Sequence, residues 1–329
     1  MNSYVLGIDL GGTKIDAALF DESYNIVGRH RDKTEAWRCD EEVFQRIVGV
    51  ASAAIKSAAV DPAQITAFGI GSPGPLDPDT GYIINTANLP FKNFPLGPRL
   101  SEEFQRRVVV HNDVDAGVYG EFRRGAASGA QNVLGVFIGT GIGGGLIING
   151  GLYNGFSKNA GEVGHIVIKA GGPRCGCGNR GCMESLASRI AIARDIKKAI
   201  KRGARSKLAR HAGKGKELLS SKDIKKAYDD GDQLVRKIVH RAARYLGIGL
   251  GSLVNVLGPE MIVLGGGVIE AMGEDFMARI DRAMRKIAFE FSATNLRVVK
   301  AQLGDDAGVI GAATLARESA QRAGADERT

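Results

Sequence analysis

Val5-Leu-Gly-Ile-Asp-Leu10 and Ile15-Asp-Ala-Ala-Leu-Phe20 are apolar runs split by Gly11-Gly-Thr-Lys14, and this pattern predicts a β-hairpin. A second turn at Asp21–Asn25 leads into a third strand that begins at Ile26-Val27. From Glu41 to Val60 the apolar residues recur at helical spacing, with Val43, Ile47, Val50, Ala54 and Ala58 on one face. Ile65–Ile70 reads as a short buried strand that ends in a rigid loop, Gly71-Ser-Pro-Gly-Pro-Leu-Asp-Pro78. Arg107–Val110 is another strand. It runs straight into His111-Asn112-Asp113 and a predicted helix over Val114–Phe122.

The pattern then restarts. Asn132–Ile138 is a strand, Gly139-Thr-Gly-Ile-Gly-Gly-Gly145 a turn, and Leu146–Ile148 a strand closed by Asn149-Gly-Gly151. Two such units predict two similar α/β lobes across a cleft, and a ligand there would touch both glycine turns. The lobes are expected at 1–115 with roughly 305–329, and at 116–304. Helices are expected along Leu186–Ile200, along Asp232–Asn255, and over roughly 268–290 and 305–319. Residues 203–221 read as loop or short helix, Met261–Leu264 and Leu296–Val299 as strands, and the polar tail from Gln321 as frayed.

Composition narrows the class. The 329 residues are 44% hydrophobic and 24% charged, enough for two domains with their own cores. The 46 glycines fall in runs, which marks tight turns rather than disorder. No stretch of about 18 apolar residues exists, and Met1–Asp9 lacks a basic segment before its first acid. A soluble cytoplasmic protein, with no membrane partner, is therefore expected. The net charge of +8 is concentrated between Arg189 and Lys216, which hold eleven Lys/Arg against one Asp. That segment has no aromatic residues for base stacking, so it reads as a solvated helix face rather than a specific nucleic-acid site.

Cys175-Gly-Cys177-Gly-Asn-Arg-Gly-Cys182 follows His165 by ten residues. Three thiolates and one imidazole are the ligand set of a closed structural Zn²⁺ site, whereas a Cys-x-Cys pair is too close to bridge well as a disulfide. Glu162 and Glu184 flank the loop, so one ion would fix two carboxylates and a histidine relative to each other.

Asp9-Leu-Gly11-Gly12-Thr13-Lys14 places a carboxylate at a strand end, before a turn of bare backbone amides that suits phosphate oxygens. Asp9 suits Mg²⁺ as an oxygen ligand. Together with Gly139-Thr140-Gly141 and the Gly265-Gly266-Gly267 strand end, this turn reads as an ATP site. It is neither a Walker A loop nor a dinucleotide fingerprint. Asn112-Asp113 has two readings: a carboxylate that accepts a sugar hydroxyl's proton, or an ordinary helix cap.

These motifs, in this order and spacing, resemble the ROK family of sugar kinases and repressors along nearly the whole chain. The resemblance rests on Asp9–Lys14, Gly71-Ser-Pro-Gly-Pro75, Asn112-Asp113, Gly139–Gly145, Glu162-Val-Gly-His165, the cysteine loop ending in Glu184, and Val263–Gly267. It implies an actin/hexokinase-like (ribonuclease H-like) α/β fold with an ATP cleft between two lobes. It also implies that Asp113 is the catalytic base and that Asn112, Asp113, Glu162, His165 and Glu184 bind sugar hydroxyls. His165 would then place one ring nitrogen on Zn²⁺ and turn the other to the sugar. Asn88, in Asn88-Leu-Pro90, is similar to a further sugar contact in glucokinase-like members.

A hexose kinase is expected, with glucose as substrate, ATP as donor, Mg²⁺ and a structural Zn²⁺, and a homodimer by resemblance. Pro75 and the three-cysteine loop resemble glucokinases; an N-acylhexosamine kinase is the next reading. A sugar-sensing repressor of the same family would carry a DNA-binding segment ahead of the first strand. Asp9 lies too near the start to leave room for one, so the kinase is preferred.

Overall fold

The structure, a computed structural model, describes residues 3–209 and 219–326. The N-terminal elements are β1 (Tyr4–Leu10), β2 (Lys14–Phe20), β3 (Ile26–Lys33), α1 (Asp40–Ala58), β4 (Ile65–Ser72), β5 (Leu76–Asp77), β6 (Tyr82–Asn85), β7 (Lys92–Phe94), α2 (Leu96–Phe104), β8 (Arg107–Asn112) and α3 (Asp113–Arg124). There follow β9 (Val133–Ile138), β10 (Ile142–Ile148), β11 (Gly151–Leu152), α4 (Met183–Ala187), α5 (Arg189–Lys201), α6 (Ser221–Asp229) and α7 (Gln233–Leu257). The chain ends with β12 (Met261–Gly265), α8 (Gly267–Arg285), α9 (Glu290–Thr294), β13 (Arg297–Lys300) and α10 (Ala307–Asp326).

Two compact units result, 1–129 with 145–160 and 302–329, and 130–144 with 161–301. In the first, a mixed sheet runs in the order β3-β2-β1-β4-β8, and β5-β6-β7 form a separate small sheet. The β1–β2 and β2–β3 pairs are antiparallel, as the glycine turn requires, whereas β1, β4 and β8 are parallel. The parallel register aligns Asp9 with Gly71, and Gly71 with His111. Parallel strands present their carboxyl ends on one side of a sheet, so Asp9 and the Asn112-Asp113 pair share one sheet edge.

Side chains alternate across β1. Leu6, Ile8 and Leu10 join Val43, Phe44, Ile47 and Val50 of α1 in one fully buried core. Val5 faces the other way, onto Val309 and Ala313 of α10. This helix lies almost on the sheet backbone. A Cβ on Gly7 would collide with the Val309 carbonyl, and one on Gly69 with that of Ala312. The same device joins α10 to α3, because a Cβ on Gly311 would collide with the Ala116 carbonyl.

That packing explains where the units divide. The lobe boundary expected from the sequence, at 115/116, falls inside α3. The contacts put 116–129 with the first unit, along with 145–160, where a Cβ on Gly145 would stand 3.0 Å from Val118 of α3. The tail read as frayed is also helical as far as Asp326.

In the second unit β12 lies between β9 and β13 and is parallel to both. The late glycines of α7 serve close approach: Gly247 and Gly251 face Ile280, Met284 and Ile287 near the end of α8, and Gly249 faces Met183. The basic segment 189–216 is described only to residue 209. There it is the helix α5 followed by a turn, and the rest lies outside the described residues. Among the described residues no helix is long and apolar enough to cross a membrane.

Candidate active site

The first unit carries Asp9, the turn 11–14, Asn88, Asn112 and Asp113. Gly11 donates to the Lys14 carbonyl at 2.9 Å, which closes the turn. Thr34 holds the turn from behind: its hydroxyl donates to the Gly11 carbonyl at 2.5 Å, and its amide to the Thr13 carbonyl at 3.0 Å. With both carbonyls engaged on Thr34, the remaining backbone of the turn is left for a ligand. Asn88 rests on this turn, since a Cβ on Gly12 would come within 3.0 Å of the Asn88 amide nitrogen.

Asp9 is crowded. Burial pushes its carboxyl up to about 6, and the nearby charge of Asp113 adds to the shift while Lys14 opposes it. A carboxylate under such strain gains from a cation beside it. Gly308 gives it room, because a Cβ there would stand 3.0 Å from Asp9 Cγ. The preceding loop is tied down by charge. Asp16, fully buried, accepts from Arg29 at 3.0 and 2.7 Å and from Arg31 at 2.6 Å, and Arg29 reaches on to Asp306 at 2.6 Å. Glu121, also fully buried, accepts the Leu303 amide at 2.7 Å and the Ala126 amide at 2.8 Å.

Of the two readings that the sequence leaves open for this pair, the helix cap belongs to Asn112. Asn112 is the cap of α3: its Oδ1 accepts from the Val114 amide at 2.9 Å and the Asp115 amide at 3.3 Å. What it offers a ligand is therefore its NH₂ group. Asp113 is the first residue of the helix, and its Oδ1 lies 3.0 Å from the Val114 amide.

The second unit carries Thr140, Gly141, Glu162, His165, Glu184, Gly265, Gly266 and the three cysteines. Backbone turns shape the cysteine loop. Cys175 donates to the Asn179 carbonyl at 2.8 Å, and Gly178 (φ 95°) donates back to the Cys175 carbonyl at 3.1 Å. The turn at Gly181 has φ 81°, and a Cβ there would also collide with the Lys169 carbonyl. One ligand atom from each of His165, Cys175, Cys177 and Cys182 falls within 4.8 Å of all the others. His165 Nδ1 is 3.6 Å from Cys175 Sγ, and the Cys177 and Cys182 sulfurs are 3.7 Å apart. The other ring nitrogen, Nε2, faces Glu162 Oε2 at 3.9 Å. Burial pushes the Cys175 thiol up to about 12.

Glu184 spans two features. Its Oε2 accepts from the Ile142 amide at 3.0 Å, next to the glycine turn, and its Oε1 is 3.6 Å from Cys175 Sγ. Arg189, which sequence reasoning took only as the start of a basic run, serves that same turn. Its amide donates to the Gly139 carbonyl at 3.0 Å, and its Nη2 to Thr140 Oγ1 at 2.7 Å. Gly265 and Gly266 have structural reasons to be glycine. A Cβ on Gly265 would press on Phe137 at 2.8 Å, and Gly266 (φ 85°) lies against Ile138. Nothing local marks Thr34, Asp306 or Arg189; each matters through a contact distant in sequence.

Comparison with known proteins follows the same outline. The family model described as the ROK family matches residues 5–319. A glucokinase of Halalkalibacterium halodurans is 34% identical over 316 residues, 96% of this chain and 95% of that one. Among solved structures, a ROK hexokinase from Thermus thermophilus is 33% identical at a TM-score of 0.82, covering 97% of this chain and 99% of its own. A ROK family glucokinase from Streptomyces griseus, solved with glucose and AMPPNP, is 32% identical at a TM-score of 0.81, covering 96% and 100%.

Proposed function

The chain belongs to the ROK family, and from that premise we propose that it is an ATP-dependent hexose kinase that phosphorylates the 6-hydroxyl of glucose. The single observation that carries the reading is the pairing of Asp113, at the start of α3, with the phosphate-type turn beside Asp9 on the same sheet edge. The likeness to the glucokinase solved with glucose and an ATP analogue supports it.

Asp113 accepts the proton of the 6-hydroxyl as that oxygen attacks the γ-phosphorus. The bond from phosphorus to the β–γ bridging oxygen breaks, and ADP leaves. Asp9 would hold the Mg²⁺ that accompanies ATP, and a cation there would offset its repulsion from Asp113. The amides and side chains of Gly11, Gly12, Thr13 and Lys14 serve one set of phosphate oxygens, and Thr140, Gly141, Gly265 and Gly266 another part of the nucleotide. Asn88, Asn112, Glu162, His165 and Glu184 take the sugar hydroxyls. Positioning is most of what such an enzyme supplies, since phosphoryl transfer requires little covalent participation from the protein.

His165, Cys175, Cys177 and Cys182 fit Zn²⁺. With Zn–S about 2.3 Å and Zn–N about 2.0 Å, a tetrahedral ion sets S···S near 3.8 Å and S···N near 3.5 Å. The 3.7 and 3.6 Å separations are close to these values. When bound, the ion is structural and supplies rigidity. His165 Nε2, Glu162 and Glu184 would thereby be held relative to one another. We also propose a homodimer, from family likeness. A coupled assay of the purified protein against glucose, mannose, fructose, N-acetylglucosamine and N-acetylmannosamine tests the substrate. Glucose is expected to give the highest kcat/KM. A preference for an N-acylhexosamine would overturn the sugar assignment and leave the kinase assignment standing.

A further inference from the structure

The loop after α8 and the short helix α9 turn a group of large apolar side chains toward water. Val256 is 80% exposed, Ile287 43%, Phe289 69% and Phe291 84%. Three of the four lie close together in the chain, and Asn255, next to Val256, ties them to the end of α7. Its Nδ2 donates to the Ile287 carbonyl at 3.3 Å, and its Oδ1 accepts from the Phe289 amide at 2.6 Å. Arg285 holds the far end of α9, donating to the Ala293 carbonyl at 2.7 Å and the Leu296 carbonyl at 3.0 Å. The exposed side chains therefore stand on a fixed backbone, all within the second unit.

Folding gives little reason for the two phenylalanines. Phe289 takes the N-cap position of α9, where Ser, Thr, Asp or Asn would accept a helix amide, and its side chain makes no such bond. The buried contacts of this stretch come instead from Ala288 and Ala293. A covered Phe side chain buries about 150–250 Å². On that scale the two rings, with Val256 and Ile287, leave about 500 Å² of apolar surface in water. The largest apolar patch of a soluble monomer is about 300–600 Å² and is often functional. Two copies placed face to face would bury about 1,000 Å², the size at which specific interfaces begin.

The charges around the patch identify its occupant. Lys286 and Glu290 stand on either side of Phe289 in the chain, both exposed, and neither has an ion pair among the described residues. One positive and one negative group flanking an apolar centre make a surface complementary to itself under a two-fold axis. We propose that this face is the interface between two copies of the chain. The copies pack isologously about Phe289 and Phe291, with Lys286 of each on Glu290 of the other. The proposal rests on the homodimer reading and names its surface.

Sedimentation equilibrium of the full chain, without glucose or ATP, tests it. The wild-type protein is expected to dimerise with a dissociation constant below about 10 µM. Phe291→Asp, at a side chain the fold leaves in water, should raise that constant at least about a hundredfold, with circular dichroism unchanged. Lys286→Glu and Glu290→Lys each set like charges against each other at both ends of a two-fold contact. Each should weaken dimerisation about tenfold or more. The double variant Lys286→Glu/Glu290→Lys reverses both charges and should return to within about threefold of wild type. Three results would overturn the proposal. A chain that stays monomeric up to about 100 µM would end the homodimer reading with it. A dimer that Phe291→Asp leaves unchanged would keep the homodimer and place its interface elsewhere. A double variant no tighter than the single ones would remove the two-fold pairing on which the choice of partner rests.

Discussion

Glu184 and Gly141 are in intimate contact. A Cβ on Gly141 would overlap Glu184 Oε2, the same oxygen that accepts the Ile142 amide at 3.0 Å. The glycine of the turn thus has a reason besides phosphate approach, because it admits the carboxylate that is assigned to the sugar. Gly141→Ala adds one methyl group and forces that carboxylate aside. The KM for glucose is expected to rise about tenfold or more, in line with a local overpacking cost of about 1–3 kcal/mol, while the KM for ATP changes less. Steady-state kinetics with each substrate varied in turn separates the two. Equal effects on both would mean that the methyl group disturbs the turn rather than Glu184.

Arg189 braces the same turn from the other side, through Gly139 and Thr140. Arg189→Met keeps the length of the side chain and removes the donor to Thr140 Oγ1. The expected outcome is a rise of about three- to thirtyfold in the KM for ATP, the loss of one charge-assisted hydrogen bond, with glucose affinity by calorimetry nearly unchanged.

Asp9 gives a stability test with a definite sign. Its carboxyl is raised to about 6 in the folded protein, from an ordinary value of 3.8. Its contribution to stability is therefore present below pH 4 and lost as pH rises through about 6. Asp9→Asn removes the penalty, so the nucleotide-free variant should melt higher than wild type at pH 8, by up to about 3 kcal/mol in stability. The gain should shrink toward pH 5, and activity should be lost at every pH. Calorimetric melting at pH 5 and pH 8 checks this. A gain of the same size at both would show that Asp9 is not strained by its charge.

Removing the metal should affect fold and sugar together. Cys177→Ser, or treatment with a strong chelator, is expected to abolish Zn²⁺ content, lower Tm by several degrees and weaken glucose binding at least about tenfold. Elemental analysis, thermal melting and calorimetry on the same sample measure all three. A metal-free protein with unchanged glucose affinity would separate the loop from the sugar site.

Local pattern made much of this legible. The hairpin of β1 and β2, the face of α1 and the glycines of α7 follow from periodicity and turn chemistry, and the four metal-type residues from their spacing alone. Residues 71–105 were less readable. Gly and Pro interrupt them so often that β5, β6, β7 and α2 leave no period, and α2 ends in a left-handed Gln105 that no preference signals. The grouping of α3 with the first unit was hidden for a different reason. It depends on Gly311 meeting the Ala116 carbonyl, nearly two hundred residues away, and no local pattern carries that information. Arg189 was missed because a guanidinium in a basic run looks like surface charge until its partner is seen.

The proposed phosphoryl transfer depends most directly on Asp113. Asp113→Asn keeps the size of the side chain and a hydrogen-bonding group but removes the proton acceptor. Asn112 remains as the cap of α3, so the fold should hold. Steady-state phosphorylation of glucose, with calorimetry of glucose binding on the same protein, is the decisive measurement. A fall of about 10²–10⁴ in kcat is expected, with the dissociation constant for glucose changed by no more than a few fold. A variant that retains near wild-type kcat would contradict the account and leave Asp113 as no more than part of a helix start.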